Sequence, residues 1–202
     1  ITEEDEVDAP GETFGDDWNK DILIFRNGIE PIFKKDMKLG TSSLRRRMQA
    51  KFFLGAQNVI NLNGNINTRL EKLENGEFDC IILANAGCKR LGFELNSILL
   101  DEHKTPTPQG LICIQKNKDF ILPRSEMIEN ILIHREDGLD VYLNNINMGN
   151  RFLKKIGADC HSALAVETWG EDYSGHYPVI HAEIYGKNEY ISISDNGSSI
   201  ED

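Results

Sequence analysis

The sequence predicts an α/β domain followed by a smaller α/β domain that contains a three-stranded antiparallel sheet. Two observations predict this arrangement. From Asp21 to about residue 92, short apolar runs alternate with stretches of helical periodicity, which is typical of a sheet with helices on both faces. After Cys160, apolar residues recur at every second position in three runs with glycine-containing turns, which is typical of antiparallel strands.

The first strands and the first helix are predicted from apolar runs and a capping residue. Ile22–Phe25 is a continuous apolar run of the kind that forms a buried strand, and a second strand is expected to end at Leu39–Thr41. Ser42 or Ser43 can cap the helix that follows, because a serine side chain accepts a hydrogen bond from a free N–H of the first turn. Gly55 is expected to end this helix.

The next helix is expected between two strands, Val59–Leu62 and Phe78–Ala84. Asn67 or Thr68 is its predicted start, and Gly76 is its predicted end. The leucines between these limits recur at helical spacing, so one face of the helix can pack on the sheet.

Two polar segments are expected at the edge of this sheet where ligands bind. Thr41–Ser43 and Ala84–Gly87 each follow a predicted strand, and a short helix is expected around Lys89–Leu91. In open α/β sheets, ligands bind in loops beyond the carboxyl ends of the strands. We therefore expect both segments to lie at a binding edge.

The second half of the chain follows a proline-rich stretch, Thr105–Pro108, which we interpret as a stiff linker. The expected elements beyond it are a strand at Leu111–Ile114, helices at about 124–136 and 140–156, and antiparallel strands at Ala163–Thr168, Val179–Tyr185 and Tyr190–Ser194.

The net charge of −11 argues against two classes of partner. A general nucleic-acid-binding protein has a basic surface, and anionic membranes attract basic segments, so neither partner is expected. No apolar run approaches the roughly 20 residues that span a bilayer, which predicts a soluble protein. Residues 1–19 are rich in acidic residues and glycine, and we interpret them as a linker or insertion.

None of the four cysteines lies in a CxxC pair, so the sequence predicts no metal site. Cys80 and Cys113 lie in apolar runs and are expected in the core. Cys160 lies in a loop between a helix and a strand, where a thiol can be exposed and reactive. The neighbouring residues leave a buried, inert thiol open as well, and Cys88 is equally undecided.

Three consecutive arginines, Arg45–Arg47, follow the polar segment Thr41–Ser43 at a predicted helix start. Free N–H groups, hydroxyls and guanidiniums at such a start bind carboxylate or phosphate, although a solvated basic helix face is the alternative. Successive helical residues are about 100° apart, so the three arginines cannot all face one ligand. Arg69 is expected in the first turn of the next helix, where a cation is mildly unfavourable with the helix dipole; a ligand role would help to explain it, but this signal alone is weak.

Five segments, in this order along the chain, resemble the porphobilinogen deaminase family of hydroxymethylbilane synthases. The resemblance extends over nearly the whole stretch from Asp21 to about Glu183. The segments are Lys20–Leu23 with Arg26–Gly28, GTSSLRR at 40–46, LENGEFD at 73–79 with IILANAGCKRLG at 81–92, Gln109–Gly110, and Cys160.

The resemblance implies an enzyme that joins four porphobilinogen molecules into hydroxymethylbilane and releases ammonia at each step. It implies a dipyrromethane cofactor, bonded through a thioether to Cys160, that primes the growing chain. It also implies a periplasmic-binding-protein-like α/β fold and a monomeric protein when complete. On this basis residues 1–19 are the linker or insertion, 20–108 form domain 2, 109–135 return to domain 1, and 136–202 form domain 3.

The resemblance assigns the carboxylates of cofactor and substrate to a set of polar and basic side chains. These are Thr41, Ser43, Arg45, Arg46, Asn65, Arg69, Arg90 and Gln109. The catalytic aspartate belongs to domain 1, most of which the chain lacks, so we expect the chain alone to be inactive and to need that N-terminal segment. Asn63 stands where the family usually has arginine, and Gly157–Asp159 replaces the family's EGG, so both sites differ from the family pattern.

A non-catalytic module that binds a small anion is the alternative function. Such a module needs no adduct on a cysteine, so the intact mass of the protein distinguishes the two hypotheses. The sequence leaves the compartment open between the cytoplasm and a plastid-type organelle.

Overall fold

The computed structural model describes residues 17, 19–106, 109–110, 148–158, 162–169 and 179–196. These residues form two sheets with associated helices. The elements, in chain order, are β1 (Asp21–Phe25), β2 (Lys38–Gly40), α1 (Leu44–Phe53), β3 (Asn58–Ile60), α2 (Ile66–Glu74), β4 (Cys80–Ala84), α3 (Asn85–Arg90), β5 (Ser97–Leu99), α4 (148–155), β6 (Leu164–Trp169), β7 (Val179–Tyr185) and β8 (Tyr190–Asn196).

The first sheet has five strands in the order β3-β2-β4-β1-β5, and it is mixed. β2 is parallel to β3 and β4, whereas β1 is antiparallel to β4 and β5. The carboxyl ends of β2 and β4 therefore lie at the same edge as the beginning of β1, where Asp21 pairs with Ala84. The predicted binding edge thus also contains the first residue of an antiparallel strand.

The core of this unit lies on both faces of the sheet, as the alternation of strands and helices predicts. Residues opposite one another in an antiparallel pair share a face, and Ile22 is opposite Leu83 while Leu23 is opposite Ile82. One buried cluster contains Ile22, Ile24, Ile81, Leu83 and Leu73 of α2; the other contains Leu23, Phe25, Cys80, Ile82 and Ala50 of α1. The expected core position of Cys80 is confirmed.

The ends of α1 agree with the prediction. Ser43 is its N-cap, and the Ser43 Oγ accepts a hydrogen bond from the backbone N–H of Arg46 at 3.4 Å. Leu54 is the C-cap, and Gly55 follows with a φ of +67°, a conformation that glycine adopts without the steric cost of a Cβ.

The predicted start of α2 at Asn67 or Thr68 is one or two residues late. The helix begins at Ile66 because Asn65 is its N-cap: the Asn65 Oδ1 accepts a hydrogen bond from the Thr68 N–H at 2.9 Å. Gly76, with a φ of +79°, follows the C-cap and ends the helix as predicted.

The second sheet has three antiparallel strands in the order β6-β7-β8, which confirms the prediction for the C-terminal part of the chain. Val166, Ile180 and Ala182 form its buried cluster, and Met148, Phe152 and Leu153 of α4 pack against them. α4 is the described part of the helix expected at 140–156.

One strand was not predicted, and two predicted elements lie outside the described residues. β5 has three residues and was not predicted, because so short a run has no recognisable period. The strand expected at Leu111–Ile114 and the helix at 124–136 lie outside the described residues. Of the acidic segment 1–19, the structure describes Asp17 and Asn19; the Asp17 carboxylate contacts the Lys89 ammonium at 2.8 Å.

The second sheet contacts the first unit through α1 and the segment after β5. The rings of Phe52 and Phe53 lie 5.4 to 6.4 Å, centre to centre, from those of Tyr185 and Tyr190. The Lys104 ammonium lies 3.4 Å from the Glu167 carboxylate, and the N–H of Thr105 donates to the same carboxylate at 3.1 Å.

Candidate functional site

The predicted binding edge is organised around Asp21, a fully buried carboxylate at the start of β1. One oxygen accepts a hydrogen bond from Arg45 Nη1 at 2.9 Å. The other lies 2.8 Å from Arg46 Nη2 and accepts from Arg46 Nε at 3.1 Å. Asp21 is not among the predicted site residues, because in the sequence it is only an acidic residue at the beginning of an apolar run.

The two arginines keep Asp21 ionised. Burial by itself raises the pKa of a carboxyl group, but the guanidinium charges of Arg46 and Arg45 outweigh burial and lower the pKa of Asp21 to about 2. The carboxylate is therefore charged at neutral pH and holds both arginines at the beginning of α1.

Gln109 completes this cluster, which brings three of the predicted site residues together. Its Nε2 donates to Asp21 Oδ1 at 2.9 Å and to the carbonyl oxygen of Asn19 at 2.7 Å. Its Oε1 accepts from Arg45 Nη2 at 3.0 Å. The amide thus bridges the carboxylate and a guanidinium, and it fixes the position of both.

Arg45 and Arg46 differ in what they offer to a ligand. Arg45 is 6% exposed, and its Nη1 also donates to Gln49 Oε1 at 2.8 Å and to the Lys104 carbonyl at 2.9 Å. The side chain of Arg46 is 13% exposed, and none of the described residues accepts a hydrogen bond from its Nη1. The geometry therefore gives Arg45 a structural role and leaves a donor of Arg46 for an anion.

Arg47 points away from this cluster, as the 100° rotation between successive helical residues requires. Its Nη1 donates to the carbonyl of Val59 at 3.1 Å, and it lines a separate groove together with Lys51 and Lys187. Arg47 therefore does not face Asp21, and the prediction that the three arginines do not share a ligand agrees with this geometry.

Arg69 supplies a second cation beside Arg46. Its Nε donates to the Gly64 carbonyl at 2.8 Å and its Nη2 to Ser42 Oγ at 3.3 Å. Burial and the nearby charge of Arg46 both lower the pKa of Arg69. Two neighbouring guanidiniums, with the Asp21 charge already shared between Arg45 and Arg46, favour the binding of an anion.

The predicted hydroxyl and amide residues shape the turns around these cations. Thr41 is buried, and its Oγ1 accepts a hydrogen bond from the Ser43 N–H at 3.2 Å. As N-caps, Ser43 and Asn65 use acceptor atoms, so the Ser43 O–H and the Asn65 NH₂ remain able to donate. Arg90 is an exposed residue in the last turn of α3, outside the hydrogen bonds around Asp21.

The cysteine predicted to carry the cofactor, Cys160, lies outside the described residues. Cys80 and Cys88 are buried and free, and burial raises their pKa values to about 12 and about 11. Neither is an activated thiol at neutral pH, which settles Cys88 as a core residue. In the described part of the chain there is neither a cluster of acidic, histidine or cysteine side chains for a metal nor a helix suited to crossing a membrane.

His103 is a buried histidine beside this cluster, and it predicts a pH dependence of stability. Neither of its ring nitrogens has a hydrogen-bond partner among the described residues, and burial lowers its pKa to about 4. As the pH falls, His103 is therefore protonated in the unfolded chain before it is protonated in the folded protein. Stability is lost as the pH falls from about 6.5 to about 4.

For His103→Phe we expect that loss to disappear. The difference in the free energy of unfolding between wild type and variant should change by about 3 kcal/mol between pH 7 and pH 4, since one pKa unit corresponds to about 1.4 kcal/mol. Urea unfolding at a series of pH values measures this, and parallel curves for the two proteins would contradict it.

Comparison with known proteins identifies the same family in a family model and in individual relatives. Residues 14–121 match the family model described as "Porphobilinogen deaminase, dipyromethane cofactor binding domain". This segment contains Asp21, the beginning of α1 and Arg69, and it ends just beyond Gln109.

Individual relatives agree with the family model. A porphobilinogen deaminase of Caldicellulosiruptor saccharolyticus is 36% identical over 151 residues, which are 73% of this chain and 49% of the relative. A probable porphobilinogen deaminase of Ignicoccus hospitalis is 35% identical over 155 residues, 75% of this chain and 48% of the relative. A porphobilinogen deaminase of Campylobacter lari is 49% identical over 90 residues, 42% and 29% of the two chains. The chain spans about half the length of the curated relatives it matches over most of its own length.

Proposed function

The chain belongs to the porphobilinogen deaminase family, and we propose that it contributes the carboxylate-binding wall of an enzyme that polymerises four porphobilinogen molecules into hydroxymethylbilane with release of ammonia. The observation that carries this proposal is the pair of neighbouring cations, Arg46 and Arg69, at the predicted binding edge. They lie within the segment that matches the family model.

The chemistry of the substrate fits this site. Each pyrrole of porphobilinogen carries an acetate and a propionate group, so a growing chain presents many carboxylates. A guanidinium binds a carboxylate through two parallel hydrogen bonds, which an ammonium group cannot do. Each hydrogen bond to a charged group contributes about 1.5–3 kcal/mol, enough to hold an acidic pyrrole.

The same donors suit a dipyrromethane cofactor, whose pyrroles also carry carboxylate groups. When bound, this group supplies the primer to which porphobilinogen units are joined. We propose that Cys160 carries it through a thioether, and that Arg46, Arg69, Ser43 and Asn65 bind its carboxylates. Thr41, Gln109 and Arg90 complete the predicted set.

Asp21 and Arg45 have a supporting role in this proposal. Asp21 aligns Arg46 through two contacts to one carboxylate oxygen, while Arg45 neutralises the other oxygen from the buried side. A guanidinium held in this way has already lost its rotational freedom, so less conformational entropy is lost when a carboxylate binds.

We also propose the finer architecture that the family implies. The five-stranded unit is of periplasmic-binding-protein type and corresponds to domain 2 (20–108), residues 109–135 belong to domain 1, and residues 136–202 form domain 3. The catalytic aspartate would lie in the half of the relatives that this chain does not match. The isolated 202-residue chain is accordingly expected to be inactive in a porphobilinogen-consumption assay.

Mass spectrometry of the full-length protein, together with that assay, tests the proposal. Active protein should carry the mass of a dipyrromethane on Cys160 peptides. Cys160→Ala should lose both adduct and turnover, whereas Cys88→Ala, the matched control, should keep both. An unmodified Cys160 in protein that still consumes porphobilinogen would exclude the attachment. Carboxylate binding without turnover or adduct would favour a non-catalytic anion-binding module.

A further inference from the structure

A chain of buried hydrogen bonds connects the arginine cluster to the second sheet. Arg45 Nη1 donates to Gln49 Oε1 at 2.8 Å, and Gln49 Nε2 donates to the Tyr185 hydroxyl at 2.9 Å. The Tyr185 hydroxyl in turn donates to Glu183 Oε2. All four residues are buried, with at most 6% of their surface exposed, so water does not compete with these bonds.

Each hydrogen bond in this series is donated in the same direction, from the cation Arg45 towards the carboxylate of Glu183. The orientation of the Gln49 amide is determined by this order, because rotating it by 180° would place an NH₂ group against the guanidinium. Hydrogen bonds that run in one direction between opposite charges polarise and strengthen one another. This series of hydrogen bonds is therefore a stiff connection between Arg45 and Glu183.

The connection joins parts of the molecule that are far apart in the sequence. Gln49 lies on α1 and Tyr185 on β7, 136 positions later. Gln49 Nε2 also donates to the Lys104 carbonyl at 2.7 Å, and the next residue, Thr105, bonds to Glu167 of β6. Two of the three strands of the second sheet, β6 and β7, are thus connected to the Gln49 amide that supports Arg45.

We infer that Gln49 and Tyr185 are positioning residues, which hold Arg45, and through Asp21 also Arg46, in register with the second sheet. This inference rests on the proposed function. Cys160 precedes the first strand of that sheet, β6, by four residues. The connection would therefore hold the carboxylate-binding arginines in place relative to β6 and β7 while the pyrrole chain grows.

Tyr185→Phe in the full-length protein tests the inference, with Tyr190→Phe as the matched control. Tyr190 belongs to the same aromatic cluster but is 41% exposed. Without the Tyr185 hydroxyl, Gln49 loses an acceptor and Arg45 is held less well. We expect KM for porphobilinogen to rise about tenfold in Tyr185→Phe, the effect of losing one buried hydrogen bond, with kcat within about threefold. Tyr190→Phe should change KM less than about twofold.

A double-mutant cycle provides an independent check. Gln49→Met removes the same connection, so its effect on KM should not add to that of Tyr185→Phe. Additive effects would overturn the inference. Thermal unfolding monitors the fold of each variant, and if Tyr185→Phe does not fold, the KM of Gln49→Met decides in its place.

NMR signals of the Arg45 guanidinium distinguish a failure of this inference from a failure of the proposed function. They should be observable in wild type and in Tyr190→Phe, and broadened or shifted in Tyr185→Phe, whether or not porphobilinogen is consumed. Unchanged Arg45 signals in Tyr185→Phe would overturn the connection itself. Absence of turnover in wild type, with the expected change of these signals, would count against the proposed function alone.

Discussion

Asp21→Asn is expected to destabilise the protein by about 3–5 kcal/mol, the usual cost of removing one partner of a buried ion pair. The variant keeps the size of the side chain but loses the charge that compensates Arg45 and Arg46. Arg45 would then remain a buried cation whose other described acceptors, Gln49, Gln109 and the Lys104 carbonyl, are all uncharged.

Urea unfolding at pH 7 measures this effect, and Asp17→Asn is the matched control. The Asp17 carboxylate contacts Lys89 at 2.8 Å, the same distance as in the Asp21–Arg46 pair, but both side chains are 39% exposed. An exposed ion pair contributes less than about 1 kcal/mol. Similar losses in the two variants would mean that burial of Asp21 does not determine its contribution.

The same substitution should also change the response to acid. The pKa of Asp21 is about 2 in the folded protein, below its usual value of 3.8, so the stability that it contributes is complete above about pH 4. It is lost as the pH falls through about 2, where the folded state also takes up the proton. In urea unfolding at a series of pH values, Asp21→Asn should lack the part of the acid-induced loss that Asp21 contributes.

Arg46→Met is expected to lower kcat/KM for porphobilinogen about 10- to 100-fold, because it removes a cation whose Nη1 can donate a charge-assisted hydrogen bond worth about 1.5–3 kcal/mol. Arg47→Met, in the neighbouring residue of the same helix, should lower it less than about threefold. Arg47 points to the groove lined by Lys51 and Lys187, not to Asp21.

Steady-state kinetics of the full-length variants, with unfolding curves for each, separate binding from folding. Arg45→Met should differ from both, because its guanidinium is buried and its loss leaves Asp21 Oδ2 and Gln49 Oε1 without a donor among the described residues. We expect a large loss of stability there and a smaller one in Arg46→Met. Equal kinetic effects at Arg46 and Arg47 in folded proteins would contradict the assignment of Arg46.

Local sequence patterns were enough to predict most of the strands and helices and the position of the cationic helix start. These features depend on interactions between residues close in the chain: the Ser43 cap of α1, the glycine after each helix, and the alternation of side chains along β6–β8. Such signals are readable because they act within a few residues. The predicted start of α2 is late because several nearby side chains could have supplied the cap that Asn65 provides. β5 was missed because its three residues are too few to show a period.

Which charges meet, and which of them are buried, depends on contacts between residues that are far apart in the chain. Asp21 lies 24 and 25 positions from the arginines it contacts, and Gln49 lies 136 positions from Tyr185. These distances are closed by sheet register and helix packing, so no local pattern contains them. Burial then sets the energies: an ion pair contributes little in water and much where water is excluded. The sequence therefore indicated an arginine site, whereas the fold buries Arg45 and leaves Nη1 of Arg46 without an acceptor among the described residues.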